Sequence, residues 1–528
     1  MTTSLTLEEV AKHASETDCW IVIDSVVYDV TKFLKTHPGG KGILLEYAGK
    51  DATEAFFDLH RKEIIAKFGP KLQVGTIKGK SQLFVPSELP LIDPITPFAE
   101  PSFWRGWKSP YYKSSHFRFR EDVRRFYREN VFSTAEADAL AGNEPSIDIY
   151  RAMGKSGILA SRIGKTVMPF LKFLDIKLPG GISPSEFDTF HEQIAHEETY
   201  GQYNVIADAL GAGYVIGLAP IVYFGSDNLR RSAVPACLLG EKRVCLAVSE
   251  PQAGSDVAGL VTTATLTEDG QSYRVNGCKK WITNGSFSDY FVTAVRTGAA
   301  GAKGLSLLLI ERGKGLTTSK IKTSYGGSAG TALVFYEDVI VPKTNLLGKE
   351  NDGFRCIMYN FNHERWYIIS SAVFGARSIL GECYKWAMQR KVFGKRLIDQ
   401  PVIRFKLAQM TASVEATQAW LDSLTYQMDN MSHEEQAIQL AGPIALLKYQ
   451  ATRTMLLISD HACQIFGGRA ITRTGMGRFV EDLNRSVKYC AILGGSEEIM
   501  ADLGVRLSVG NAETAISKNP KLAYLAKL

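Results

Sequence analysis

The sequence predicts an α+β multidomain chain, and three observations carry that reading. Its 528 residues are more than one hydrophobic core ordinarily organises, which points to about three or four domains. Pro86, Pro90, Pro94, Pro97 and Pro101 mark an extended, semi-rigid segment with little periodicity. Past it, helical patterning runs to a turn near Gly240, gives way to short β-like runs between glycine-rich turns, and returns after about residue 350. The expected divisions are a small domain at 1–79, a linker at 80–101, a helical domain at 102–240, a barrel-like β-domain at 241–350, a four-helix bundle at 351–515 and a tail at 516–528.

Composition narrows the function. A net charge of +6 is small for this length and argues for neither a nucleic-acid partner nor an anionic membrane. The eight cysteines are scattered, without CxxC, CxxCH or zinc spacing, which argues for free thiols in a reducing compartment and against covalent haem attachment. The start, MTTSLTLEEVAKH, has neither the apolar core of a signal peptide nor the arginine bias of a transit peptide. The longest uncharged run, between Asp208 and Asp227, holds Gly211, Gly213, Gly217 and Pro220; it reads as buried helix and turn, not as an integral membrane segment. Ala526-Lys527-Leu528 is a conservative variant of the peroxisomal Ser-Lys-Leu address, so the expected location is the peroxisome, and otherwise the cytoplasm.

In the first domain, short strands at 20–24 and 26–30 precede a helix ending at His37-Pro38-Gly39-Gly40, and the pair Phe56-Phe57 precedes His60. Two imidazoles sharing one iron must face each other across a porphyrin, with Leu44, Leu45, Tyr47, Ala48, Phe56 and Phe57 as apolar walls. The stretches TLEEVAKH, CWIVIDSVVYDVTKFLKTHPGG and YAGKDATEAFFDLH resemble cytochrome b5 over essentially the whole domain. That resemblance implies a b-type haem with His37 and His60 as axial ligands, and a carrier of single electrons. Acids and bases are roughly balanced here, which weakens electrostatic steering to a separate partner. After the linker, residues 105–128 mix basic and aromatic residues; Phe119, Val123 and Phe126 at helical spacing predict an amphipathic helix with a solvated basic face.

The β-like runs lie at 244–248, 261–266, 273–275, 290–295, 305–310 and 332–335. Two stretches carry chemistry: LAVSEPQAGSD from Leu246, with Val248, Ser249 and Ser255, and WITN from Trp281, with Thr283. A flat isoalloxazine needs an apolar wall and hydroxyl or N–H donors for the charge left on reduction. These stretches are similar to the two signatures of acyl-CoA dehydrogenases, as are PACLLGEKRVCLAVSEPQAGSDVAGL, YRVNGCKKWITNG, RKVFGK and QIFGG, so the resemblance spans about residues 185–508. It implies non-covalent FAD lined by Leu246 to Ser255 and Trp281 to Thr283, with Ser255 also on the acyl-CoA.

The last helical domain opens with one long helix at 361–395, carrying Glu364-Arg365 near its start and Arg390 and Phe393 near its end. By the same resemblance, Gln464, Gly467 and Gly468 serve the adenylate end of FAD, with Arg390, Phe393 and Ser496 as further cofactor contacts. Glu364 and Arg390 are 26 residues apart, roughly 39 Å along a helix, so one FAD does not touch both. A homodimer or homotetramer, in which Arg390 serves a neighbour, resolves this. Most of the family has a glutamate before Gly-Thr near the C-terminal end; here Gly494 stands in that position. In the long-chain and isovaleryl branches the base precedes an arginine on the opening helix, which points to Glu364, with Asn362, Arg365 and Gly495 on the substrate. The reaction implied is α,β-dehydrogenation of an acyl-CoA to a trans-2-enoyl-CoA, with haem as electron outlet. The alternatives are an acyl-CoA oxidase reducing oxygen, and a catalytically silent haem or acyl-CoA binding protein.

Overall fold

The computed structural model describes residues 3–60, 62–82, 93–131, 141–200 and 204–519. Pro86 and Pro90 of the linker, and Ala526-Lys527-Leu528, lie outside the described residues.

The first domain is a five-stranded sheet ordered β1 (Thr3–Leu5), β5 (Gln73–Ile77), β4 (Val26–Asp29), β3 (Asp18–Ile23), β2 (Ala14–Ser15). β3 and β4 turn through Asp24 and Ser25, both at positive φ as a two-residue hairpin with right-handed strand twist requires. One face buries Ile21, Ile23, Val26 and Tyr28 against Leu34, Ala48 and Ala52. The helix expected to run up to His37 is only a 3₁₀ turn at Phe33–Lys35, because Pro38 disfavours helical backbone at the residue before it.

The first helical domain is organised by α1 (Ser114–Asn130), α2 (Thr189–Tyr200) and α3 (Ala212–Phe224). α2 is buried along its whole length and α3 along nearly all of it, and no helix among the described residues is long and apolar enough to cross a membrane. The solvated basic face expected of α1 is only partly present. Arg118 and Arg125 are exposed, but Arg120 and Arg124 are buried between Glu100 and Glu198, with four ion-pair contacts of 2.5–2.6 Å. Periodicity on α1 does not reveal this, because the carboxylates lie elsewhere in the chain. Glu100 belongs to the linker, whose second half is docked and not free. Lys385 pairs with Asp93 at 3.1 Å, Arg377 donates to the Phe98 carbonyl at 3.3 Å, and a Cβ on Gly381 would meet that of Ala99 at 2.8 Å.

The middle domain forms one sheet ordered β11 (Leu316–Lys320), β12 (Ala332–Pro342), β8 (Ser272–Ile282), β7 (Thr263–Leu266), β9 (Tyr290–Arg296), β10 (Leu305–Glu311), β13 (Leu346–Leu347), with β6 (Val244–Ala247) parallel to β9. β8 and β12 are 11 residues each, far longer than expected. Their register shifts, between Ala332 and Val334 and between Tyr336 and Val339, break the alternation by which a strand is recognised.

The long helix, α4, is Gly353–Gln389, starting earlier and ending sooner than expected. Arg390 leaves helical geometry, and β14 (Lys391–Val392) pairs with β15 (Lys395–Arg396) around Phe393 and Gly394, both at positive φ. The RKVFGK segment is therefore a hairpin, its second central position taken by the glycine that this turn favours. α5 (Pro401–Asn430), α6 (Ala441–Phe466), α7 (Arg478–Ile492) and α8 (Glu497–Lys518) complete the domain, one long helix more than the bundle expected. α6 packs against all four others.

Removing Glu100 would leave two buried guanidinium groups sharing the single carboxylate of Glu198. Glu100→Ala is expected to lower stability by about 3–5 kcal/mol, seen as an earlier urea midpoint, whereas Arg125→Ala, on an exposed pair, shifts it by under about 1 kcal/mol.

Candidate functional site

Glu364 sits about three turns into α4 with its side chain 5 % exposed. Its Oε2 is buried and meets no donor among the described residues. Across from it, the loop between α7 and α8 passes through Gly494 and Gly495, both at positive φ. A Cβ built on Gly494 would lie 3.8 Å from Glu364 Oε1 and 2.6 Å from Ile368 Cδ1. The Glu364 carboxylate thus stands where a side chain from position 494 would enter.

Two cations hold this loop by its carbonyls. Arg365 Nε donates to Gly494 O at 3.1 Å, and Lys448 Nζ, from α6, donates to Gly495 O at 2.7 Å and Ala491 O at 3.1 Å. The Gly494 N–H has no acceptor among the described residues. Ser496 caps α8, its hydroxyl accepting from the Ile499 N–H at 3.5 Å. Burial pushes the Glu364 carboxyl up to about 7, against the pull of Arg365, His363 and Lys448. Burial likewise brings Lys448 down to about 8.

The β-domain presents a second surface toward this loop. The Lys280 N–H donates to Ser249 O at 2.9 Å, laying the stretch that contains Leu246, Val248 and Ser249 beside that of Trp281 and Thr283. A buried Lys279–Glu250 pair at 2.7 Å locks them, with Glu250 also accepting from the N–H groups of Val261 and Thr262. Trp281, at positive φ, is 52 % exposed, while Thr283 is buried, its hydroxyl 3.0 Å from that of Tyr489 on α7. A half-exposed indole flanked by hydroxyls offers the apolar wall and donors that a flavin ring needs, so these residues fit that cofactor. Ser255 is exposed on the loop that follows, and Asn362 lies one turn along α4 from the half-buried Tyr359.

The remaining expected cofactor residues collect at the other end of α4. Trp386 stacks on Phe466 at 5.4 Å and Arg469 lies over Trp386 at 5.0 Å, which brings the Gln464 to Gly468 turn to the Arg390 hairpin. Gln464 is exposed, Phe393 is 97 % exposed, and a Cβ on Gly467 or Gly468 would meet nothing within 4 Å. The chain therefore carries two clusters at opposite ends of one helix.

In the first domain, the His37 and His60 rings face each other with centroids 5.9 Å apart. Two imidazoles on one metal, with bonds of about 2 Å, place their centroids roughly 6 Å apart, so the pair fits an axially ligated iron. His37 Nδ1 is 3.0 Å from Gly40 O and His60 Nδ1 is 3.2 Å from Phe56 O; each Nδ1 donates, leaving Nε2 for a metal. Burial lowers the His60 pKa, favouring the neutral, ligating imidazole. A Cβ at Gly39 would meet His37 Cε1 at 2.8 Å, so a side chain there would displace the imidazole.

Sequence reasoning missed Lys448, Tyr489 and a buried pair, Glu192–His363. A lysine on the apolar α6 face was the available signal for the first; the others depend on contacts between distant segments. Trp366 and Tyr367, the large residues after Glu364, turn into the protein interior, bonding Thr425 at 2.8 Å and Tyr200 at 2.9 Å.

Three family profiles match this chain. They are described as cytochrome b5-like heme/steroid binding domain at residues 6–78, acyl-CoA dehydrogenase middle domain at 245–339 and acyl-CoA dehydrogenase C-terminal domain at 351–507. The chain is 39% identical over 414 residues to the acyl-CoA dehydrogenase apdG of Emericella nidulans, covering 78% of this chain and 94% of that one. It is 30% identical over 405 residues to the mitochondrial long-chain specific acyl-CoA dehydrogenase of Sus scrofa, covering 75% and 86%. The solved acyl-CoA dehydrogenase from Geobacillus kaustophilus matches with a TM-score of 0.66 at 25% identity, over 76% of this chain and 99% of that one.

A carboxyl whose folded pKa lies near 7 and whose ordinary value is 4.5 lowers stability as pH rises between those values, because the folded state holds the proton more tightly. Glu364→Gln is therefore expected to stabilise the protein by about 1–3 kcal/mol at pH 8 and by little at pH 5. Thermal unfolding at both pH values checks this.

Proposed function

Because the chain belongs to the acyl-CoA dehydrogenase family and carries a cytochrome b5-like domain, we propose that it dehydrogenates an acyl-CoA to the trans-2-enoyl-CoA and passes the electrons to its own b-type haem. The family binds FAD and the first domain binds haem. The observation that carries the reading is the buried Glu364 carboxylate in the space beside Gly494.

A thioester α-proton is too weakly acidic for an ordinary carboxylate. Burial that raises Glu364 toward neutrality makes it a stronger base, and it takes the proton as general base. The free Gly494 N–H donates to the enolate-like oxygen as charge develops there, and the grip of Arg365 and Lys448 on the neighbouring carbonyls fixes that donor's direction. FAD, when bound, supplies the acceptor for the β-hydrogen as hydride. Leu246, Val248, Ser249, Trp281, Thr283 and Ser496 hold the flavin, while Ser255, Asn362, Arg365 and Gly495 orient the acyl-CoA. Arg390, Phe393, Gln464, Gly467 and Gly468 serve the FAD of a second subunit, which makes the protein a homodimer or homotetramer. His37 and His60 ligate the haem iron. The Ala526-Lys527-Leu528 terminus directs the enzyme to the peroxisome.

The rate under kcat/KM conditions is expected to rise with pH through an apparent pKa near 7, since only ionised Glu364 accepts the proton. Anaerobic mixing with a good acyl-CoA substrate should bleach the flavin first and then reduce the haem, followed by absorbance. A haem that stays oxidised while flavin turns over removes the relay; peroxide matching the substrate consumed in air assigns an oxidase instead. Flavin that no acyl-CoA bleaches leaves a binding protein.

A further inference from the structure

His363 immediately precedes Glu364, and its Nε2 is 2.5 Å from Oε1 of Glu192 on α2. Glu192 is only 5 % exposed, His196 Nε2 is 3.5 Å from the same oxygen, and Gly164 passes so close to Oε2 that any Cβ there would collide with it. The carboxylate is bonded by His363 and closely surrounded by His196 and Gly164, and in turn fixes the imidazole. One turn earlier on the same face of α4, Tyr359 stacks on His433 at 3.6 Å and meets Tyr223 at 4.7 Å.

The pair has an energetic oddity. A pocket for a plain hydrocarbon chain is best lined with apolar groups, and a buried ion pair beside it carries a desolvation penalty that the pair interaction only partly offsets. His363 Nδ1, moreover, is buried with no partner among the described residues, although native interiors rarely leave such a group unsatisfied. With Nε2 committed to a carboxylate, and with Glu192 favouring the charged ring, Nδ1 carries a hydrogen and is a donor awaiting an acceptor. The His363 side chain is 23 % exposed, with Nδ1 on its covered edge.

We propose that His363, clamped by Glu192, donates from Nδ1 to an oxygen on the acyl group, so that the enzyme's substrates are acyl-CoAs bearing a hydroxyl or oxo oxygen beyond the β-carbon. This deepens the dehydrogenase reading and rests on it. His363 and Glu364 are consecutive on α4 and their charges act on each other, which keeps the donor in the neighbourhood of the base although successive helical side chains point about 100° apart. His363 is a specificity residue here, Glu192 a positioning residue.

The test uses the full-length holoenzyme and three probes: hexanoyl-CoA, 4-hydroxyhexanoyl-CoA and 4-oxohexanoyl-CoA, with kcat and KM read separately from flavin bleaching. The wild type is expected to favour the oxygenated chains by roughly 10–100-fold in kcat/KM, mainly through KM, as a site with a buried donor disfavours the analogue lacking the acceptor. His363→Gln places an amide near the Nε2 position, keeping the bond to Glu192 while deleting the Nδ1 donor; its preference should fall to within about threefold of parity. His363→Asn places an amide near Nδ1 and should retain part of the preference. A wild type that favours hexanoyl-CoA, or a His363→Gln variant that keeps the full preference, overturns the proposal while leaving dehydrogenation intact. If none of the three probes bleaches the flavin while a long-chain acyl-CoA does, the proposal is overturned and the dehydrogenase reading stands; if no acyl-CoA bleaches it, the dehydrogenase reading fails and takes this proposal with it.

Discussion

One constraint governs the catalytic half of the molecule: a carboxylate on α4 must be kept out of water without a partner to neutralise it. Glu364 is destabilised by its own burial, and the surrounding structure is arranged to bear that. Arg365 and Lys448 supply positive charge but spend their hydrogen bonds on the carbonyls of Gly494, Gly495 and Ala491, not on the carboxylate. A direct ion pair would bring the pKa of Glu364 down and leave a poor base. Gly494 completes the arrangement by contributing no side chain, so Ile368 and the Glu364 carboxylate pack against the bare loop backbone. Base strength, loop geometry and the positive φ at 494 are one problem with one solution.

The same helix explains why the site is divided. α4 is 37 residues, about 55 Å, and its two ends carry separate groups of residues. Near its start is the buried carboxylate; past its end is a hairpin with an almost fully exposed phenylalanine and a turn lined by open glycines. The linker follows the second half of the helix, pinned by Lys385, Arg377 and the buried Glu100 knot. The described part of the linker, from Asp93 onward, is therefore docked and not free.

Much of this was legible in the sequence because local chemistry identifies it. His37 beside Pro38-Gly39-Gly40, the Trp281 and Ser249 stretches, and Glu364-Arg365 at the head of a periodic run are all recognisable within short windows. Departures arose where distant segments meet. Arg120 and Arg124 look like surface cations until Glu100 and Glu198 are placed beside them. RKVFGK continues the helical pattern until the positive φ values at Phe393 and Gly394 turn it into a hairpin. Lys448 and the Glu192–His363 pair gain meaning only through three-dimensional contact, which periodicity does not encode.

The most direct test of the account is whether positions 364 and 494 address the same point in space. Flavin bleaching by an acyl-CoA should fall by about 10²–10⁴-fold in Glu364→Gln and recover in part in the double variant Glu364→Gln, Gly494→Glu, where the carboxylate approaches from the loop. Equal bleaching by Glu364→Gln and the wild type would contradict the central claim that Glu364 is the base.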